Sequence, residues 1–485
     1  MNTNLIKSIG LYFIVFGFIS CDMETNLEVE NLESPSSQEI GVESTASKIF
    51  QNWYNTNNGY GGPGLAFTTM ADNTTCSWGN AGMRDLSSEP RVAWDNQSTY
   101  SNAFITEDFF NSMNSILADS NGLIGSIEAG ATFSDVDKIE SLARFGQAAS
   151  IGSLALVFDK VYLSDENGVI NDGVASPYMD AVELALNKLD LAIAAAESGS
   201  FSLSTEVNGK VLSSAQWAEF LNTFGARLLT NSARNSTERA ALNWDKVLAY
   251  ANKGLSYDFE VLSDGWLYWY NDWQFLGIYP GWTRTDLYVV NKMDPTYVDY
   301  WPTTEPATTV LPESTNAIDA RLAKDFEYLD TQDFPADRGI YHHSPYRHSR
   351  YDNITDKSWE EFAPEMLVAE NTLYKAEAQM RKGLLTEAAA TINAGTRTTR
   401  GELPDVAATE SAISDAIHHE RVIELMHTGC GLAFFEMRGK DLLQKGTLLH
   451  FPIPGAALDS NKEDNYTFGG TTGVAGKDYS NGGWR

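Results

Sequence analysis

The feature that most constrains this chain is a helix–turn–helix written into Ala376–Asn393, AEAQMRKGLLTEAAATIN. Small residues let the two helices cross closely, and Gly383 stands where the turn between them calls for a positive φ. The spacing predicts a first helix over Met366–Lys382, with Met366, Ala369, Leu373, Ala376 and Met380 on one face, and a second over Leu385–Ile392. Such a hairpin cannot cover its own apolar face, so further pairs must stack on it.

The chain supplies them. Ile139–Leu163 places Leu142, Phe145, Ala149, Gly152, Leu156 and Val157 at three- and four-residue intervals. Tyr178–Glu197 follows Ser176-Pro177, read as an N-cap with proline at the first turn, and repeats Val182, Leu186, Leu189 and Ile193. Trp217–Asn231 and Trp244–Gly254 read as another pair. Ala376–Asn393 resembles a tetratricopeptide unit. The expected fold class is all-α: a tetratricopeptide-like helical repeat scaffold with long, irregular ligand-binding loops. Helical pairs are placed near 139–254 and 365–428, within a body spanning 43–485.

Two stretches have no regular period. Asn55–Asn96 is rich in Gly, Asn, Thr and Ser, and the region 255–350 holds glycines, prolines and aromatics. Loops this long in a compact protein are functional or disordered, and their aromatic content argues against disorder. The chain carries 12 Trp and 21 Tyr, and eleven of these fall within Trp266–Trp301, among Asn271, Asp272, Gln274, Arg284 and Asp286. Aromatic faces stack on the C–H faces of sugar rings while amides, carboxylates and guanidinium groups bond the hydroxyls. That mixture suits a neutral, polyhydroxylated ligand. Trp269 and Trp273 are candidate ligand platforms, although Trp266, Trp269, Tyr270 and Trp273 also share the spacing of one helix face that packs on the scaffold. Tyr279 and Trp282 flank the turn signal Pro280-Gly281 and are candidates for exposure. The N-terminal loop adds Asp72-Asn73, Trp78, Asn80, Arg84, Asp85 and Trp94, of which Trp78, Arg84 and Asp85 complete the candidate ligand-binding set.

Charge removes one class of partner. Sixty-five acidic against 34 basic residues give −31, a field that repels nucleic acid and disfavours anionic ligands unless a local basic pocket overrides it. Enzyme motifs are not found. His418-His419-Glu420 lacks the second zinc histidine, Ile423 standing in its place, and reads as the decoration of a helix surface. His342, His343 and His348, with Arg347 and Arg350, read as a solvated basic loop rather than a metal site. Asp165-Glu166-Asn167-Gly168 lacks the ligand order of a calcium loop. Neither a cofactor nor a metal is expected.

At the N-terminus, Lys7 precedes the apolar run Ile9–Ile19, which ends in Ser20-Cys21 and then acidic Asp22 and Glu24. The run is too short for a bilayer span and suits a signal peptide over 1–20. The small residue before Cys21 resembles a bacterial lipoprotein cleavage site, with Cys21 as the lipidation point. The polar, acidic segment 21–42 reads as a lipidated flexible tether. Cys76 and Cys430 are left, either bridged or buried.

The closing region carries a family resemblance. Glu420-Arg421, Glu424-Leu425, Gly429, Phe434-Phe435-Glu436-Met437-Arg438, then Pro452-Ile453-Pro454 with Leu458-Asp459-Ser460-Asn461, resemble the closing signature of the SusD/RagB family of Bacteroidetes. Thr428 stands where an acidic residue is usual, Cys430–Ala433 replaces a short basic link, and Glu436 stands where Asp is commoner. The resemblance implies an outer-membrane, surface-exposed nutrient-binding lipoprotein whose ligand site is built from loops. It also implies delivery of an oligosaccharide to a SusC-like TonB-dependent transporter. A peptide-binding member of the same family and a surface glycoside hydrolase are the competing readings.

Overall fold

The computed structural model describes residues 43–279, 281–301, 309–331, 338, 341–471 and 479–484. The expected leader, lipidated Cys21 and tether lie outside them. Helices dominate, and the longer ones are α1 (Ile49–Asn58), α2 (Phe104–Glu128), α3 (Val136–Val157), α4 (Tyr178–Ser198), α5 (Ser214–Asn231), α6 (Trp244–Asn252), α7 (Asp272–Ile278), α8 (Val368–Arg381), α9 (Leu385–Asn393), α10 (Glu410–Ile423) and α11 (Leu432–Gly439). Each of α2 to α5 packs on the next in chain order; α6 packs on α8, and α8 on both α9 and α10. This is a helical repeat array, and a large insertion separates α6 from α8.

The sequence periodicity located most of these helices to within a few residues. It missed α2, the longest, although Ile105, Phe109, Met113, Ile116 and Leu117 recur at helical spacing and are buried. Its Asn, Ser and Gly content masks that stripe when propensity is weighed alongside it. The expected Ser176 cap is not made: Ser176–Pro177 pairs with Lys160–Val161, and no side chain caps α4. Ser213 and Gln216 instead form a full capping box on α5. Asn55–Asn96 is not loop throughout, since Gly64–Met70 is a buried helical turn segment.

Close packing is set by small residues. A Cβ added to Gly152 of α3 would lie 2.9 Å from Leu228 of α5, so glycine lets these two helices approach. Gly383 has φ +78° between α8 and α9, with open space around it. Only the backbone, then, demands glycine there. Gly383→Val is expected to cost about 1–2 kcal/mol, read by urea unfolding; an unchanged midpoint would show that this turn tolerates a β-branched side chain.

Charged residues of the closing signature are structural. Arg239 Nη2 bonds Glu377 at 2.7 Å and Glu436 at 2.8 Å, and Arg421 Nη1 bonds the same two carboxylates at 2.5 and 2.8 Å. This quartet ties α8, α10 and α11 together. Burial would raise the Glu436 carboxyl, but Arg239 and Arg421 overcome it and hold it well below the usual carboxylate range. His418 belongs to the same network and does not decorate a surface: it is buried, with Nδ1 3.1 Å from Glu436 and Nε2 2.5 Å from the Tyr288 hydroxyl. His419 reaches Asp319 at 2.7 Å, and Glu420 is buried against Arg321.

The insertion is held by short two-stranded ladders: Phe259–Leu262 with Phe362–Met366, Phe326–Tyr328 with Tyr346–His348, and Thr74–Thr75 with Arg284–Thr285. The three histidines expected on a solvated basic loop are buried here. His348 Nδ1 lies 3.0 Å from His427 Nδ1, and His342 accepts the Trp301 N–H at 2.9 Å. Cys76 and Cys430 are unpaired thiols, each pushed up to about 12 by burial. Asp165–Gly168 closes a tight hairpin in which Glu166 bonds Arg144 and Lys188, each at 2.7 Å.

Candidate functional site

The ladder of Thr74–Thr75 with Arg284–Thr285 creates the site. It pairs Thr75 with Arg284 in antiparallel register. Continued outward, that register brings Trp78 opposite Gly281, and the Trp78 indole N–H donates to the Gly281 carbonyl at 3.2 Å. Trp78 and Trp282 then lie 6.2 Å apart between ring centroids, tilted by 40°. Trp78 is 43% exposed and Tyr279 44%, while Trp282 is half-buried. Five of the seven residues singled out in sequence, Trp78, Arg84, Asp85, Tyr279 and Trp282, thus sit on the two loops that this ladder joins.

Arg84 and Asp85 lie on the short helix Met83–Ser87. Asp85 is fixed by the Tyr100 hydroxyl, which donates to it at 2.6 Å, and Arg84 Nε touches its other oxygen at 3.3 Å. One further residue, unflagged in sequence, completes the group: the Arg338 guanidinium lies 4.1 Å over the Trp78 ring. The Tyr341 hydroxyl donates to the Arg338 carbonyl at 3.1 Å. Burial pushes that phenol up to about 12, with Arg84 opposing. Nothing in the local sequence marks Arg338, because its partner is about 260 residues away.

Beneath the ladder, Asp286 accepts from the Thr75 hydroxyl at 2.5 Å and from the Tyr288 N–H at 2.9 Å. Burial and neighbouring Asp72 push its carboxyl well above the usual range. Asp72 accepts from Arg91, Gln444 and Trp484 at 3.0, 2.9 and 2.7 Å. The loops therefore rest on a buried polar base that reaches the C-terminal region, and their aromatic tips are held in place by it.

Other expectations fail here. Trp269 and Trp273 are 7% and 4% exposed and offer no ring face to a ligand. Trp269 packs between Phe50 and Tyr54, with centroids 6.2 and 5.7 Å away, and Trp273 Nε1 donates to Asn58 at 2.5 Å. The apparent helix face over Trp266–Trp273 is a coincidence of spacing. The Asp264 carboxylate accepts the N–H groups of Leu267, Tyr268 and Trp269 at 3.0 to 3.2 Å in a turn, and α7 begins only at Asp272. Trp94, Asp72 and Asn73 are likewise buried.

The group presents two tilted indole faces, a tyrosine, two guanidinium groups and an oriented carboxylate on one exposed surface. It can stack on flat, C–H-rich faces and bond hydroxyls around them. Among the described residues no group of three or more His, Cys, Asp or Glu is arranged to hold a metal ion.

No family model matches the chain, and no curated protein matches it. Solved structures do. A SusD superfamily protein from Parabacteroides distasonis ATCC 8503 superposes with TM-score 0.60 at 12% identity, over 88% of this chain and 98% of its own. One from Bacteroides vulgatus ATCC 8482 gives 0.56 at 15% identity, over 87% and 97%. A SusD-like carbohydrate binding protein from the same organism gives 0.56 at 13% identity, over 81% and 82%. The chain has the fold of these proteins, as the closing signature implied.

Proposed function

We propose that this chain, with its SusD-type fold, is a cell-surface oligosaccharide-binding lipoprotein that hands its ligand to a TonB-dependent outer-membrane transporter. The observation that carries the reading is the indole pair of exposed Trp78 and half-buried Trp282, joined across two loops beside Tyr279 and the Arg84–Asp85 pair. Exposed aromatic side chains grouped on one surface mark a place where a ligand or partner docks. Their tilt suits successive rings of a sugar chain rather than one flat molecule. Similarity to a solved carbohydrate binding protein of the same fold supports the ligand class. No covalent step is invoked; binding comes from stacking and hydrogen bonds.

Calorimetric titration against matched oligosaccharide and peptide panels, with the product checked for cleavage, tests this. Saturable, uncleaved glycan binding that Trp282→Ala weakens tenfold or more is the expected result. Peptide binding, or hydrolysis of the glycan, would replace the reading.

Anchoring has its own test. Among the described residues no helix is long and apolar enough to cross a membrane, and the proposed anchor is lipid on Cys21. Cys21→Ala is expected to move the folded chain out of the membrane fraction. Retention there would assign the attachment to something else.

A further inference from the structure

We infer, building on the glycan-binding reading, that the site selects glycans bearing an anionic substituent, a carboxylate or a sulfate ester. In the sequence, acidic residues outnumber basic ones 65 to 34. At this surface the balance inverts. Arg84 and Arg338 flank the exposed tryptophan, and the carboxylate of the group, Asp85, is already committed to the Tyr100 hydroxyl at 2.6 Å. Arg84 touches Asp85 through Nε alone at 3.3 Å, and 44% of its side chain is exposed. The two Nη groups, the edge that binds carboxylate or sulfate side-on, take no part in that contact.

Both guanidinium groups are placed in advance. The Arg338 guanidinium lies 4.1 Å over the Trp78 ring, and its Nη1 is a buried donor without a hydrogen-bond partner. Arg84 lies against the Gly79 backbone, where an added Cβ would come within 3.1 Å of its guanidinium carbon. An ordered arginine loses little freedom on pairing, so the anion gains more from it than from a surface lysine. The remainder of the strongly acidic chain repels anions, which makes a local cationic pair at a ligand platform selective rather than sticky.

The test uses the full chain in detergent and three matched pairs of oligosaccharide: oligogalacturonate with its methyl ester, oligoalginate with its carboxyl-reduced form, and a chondroitin sulfate oligosaccharide with its desulfated form. The expected result is that at least one charged member binds tenfold or more tighter than its neutral counterpart, with affinity falling as NaCl is raised. Arg84→Met should bring that ratio close to one. Preference within the first two pairs assigns the carboxylate, and within the third the sulfate ester. Charged and neutral members binding equally, or no charged member binding, overturns the inference. Equal binding that Trp282→Ala still weakens would leave the glycan reading standing; equal binding indifferent to Trp282→Ala would remove both.

Discussion

Replacing Arg321 with methionine is expected to cost about 3–5 kcal/mol of folding stability. Its guanidinium is fully buried and contacts three carboxylates: Asp319 and Glu420 at 2.7 Å, and Glu424 at 3.1 Å. After the change Asp319 keeps His419, and Glu424 keeps Arg350 and Arg400 at 3.0 and 3.2 Å. Glu420 keeps the Thr396 hydroxyl at 2.8 Å and the field of Arg397, but loses its buried ion pair. Urea unfolding at neutral pH measures the loss. A cost below about 1 kcal/mol would mean that water reaches these carboxylates and that the network is not closed. Arg321→Lys should recover little, since one ammonium cannot serve three acceptors in the plane that the guanidinium spans.

Acid is expected to unfold the protein well above the range where carboxylates usually titrate. Burial lowers His342, His343 and His418 to about 4 and His427 to about 3, from an unfolded value of 6.5. Burial, with His427 and Arg350 beside it, lowers His348 as well. Between those values the unfolded chain binds protons that the native chain refuses, so stability is complete above 6.5 and falls as pH drops through that window. Each group removes about 1.4 kcal/mol per pH unit. Five together remove roughly 7 kcal/mol by about pH 5.5, comparable with the whole stability of a typical domain. Asp286, Glu365 and Glu107, all raised by burial, work in the opposite sense but are three groups against five. Urea midpoints measured from pH 7.5 to 4.5 give the result; midpoints that stay flat to pH 4.5 would show that these imidazoles take up protons without unfolding.

Both effects arise from polar groups that the sequence could name but could not place. His418-His419-Glu420 looked like a solvated helix edge because its neighbours in sequence are charged. In three dimensions its partners are not those neighbours but Glu436, Tyr288, Asp319 and Arg321, which arrive from other segments and bury it. The same holds for the aromatic cluster. Trp273 is inside because Asn58 comes to meet its indole N–H, and Trp269 because Phe50 and Tyr54 stack around it.

The helical repeat array and the extent of most of its helices are legible in the sequence, together with Gly383 as the turn of one pair. Those depend on periodicity and backbone sterics, which act over a few residues. Tyr279 and Trp282 are singled out by the turn signal Pro280-Gly281 between them, and Trp78, Arg84 and Asp85 as members of an irregular N-terminal loop. Only the tertiary structure decided that two loops some 200 residues apart form one surface, that Arg338 caps it, and that Trp269 and Trp273 leave it for the core. The reason is physical: exposure is set by which distant segment covers a residue, and here a two-residue ladder between Thr74–Thr75 and Arg284–Thr285 makes that choice.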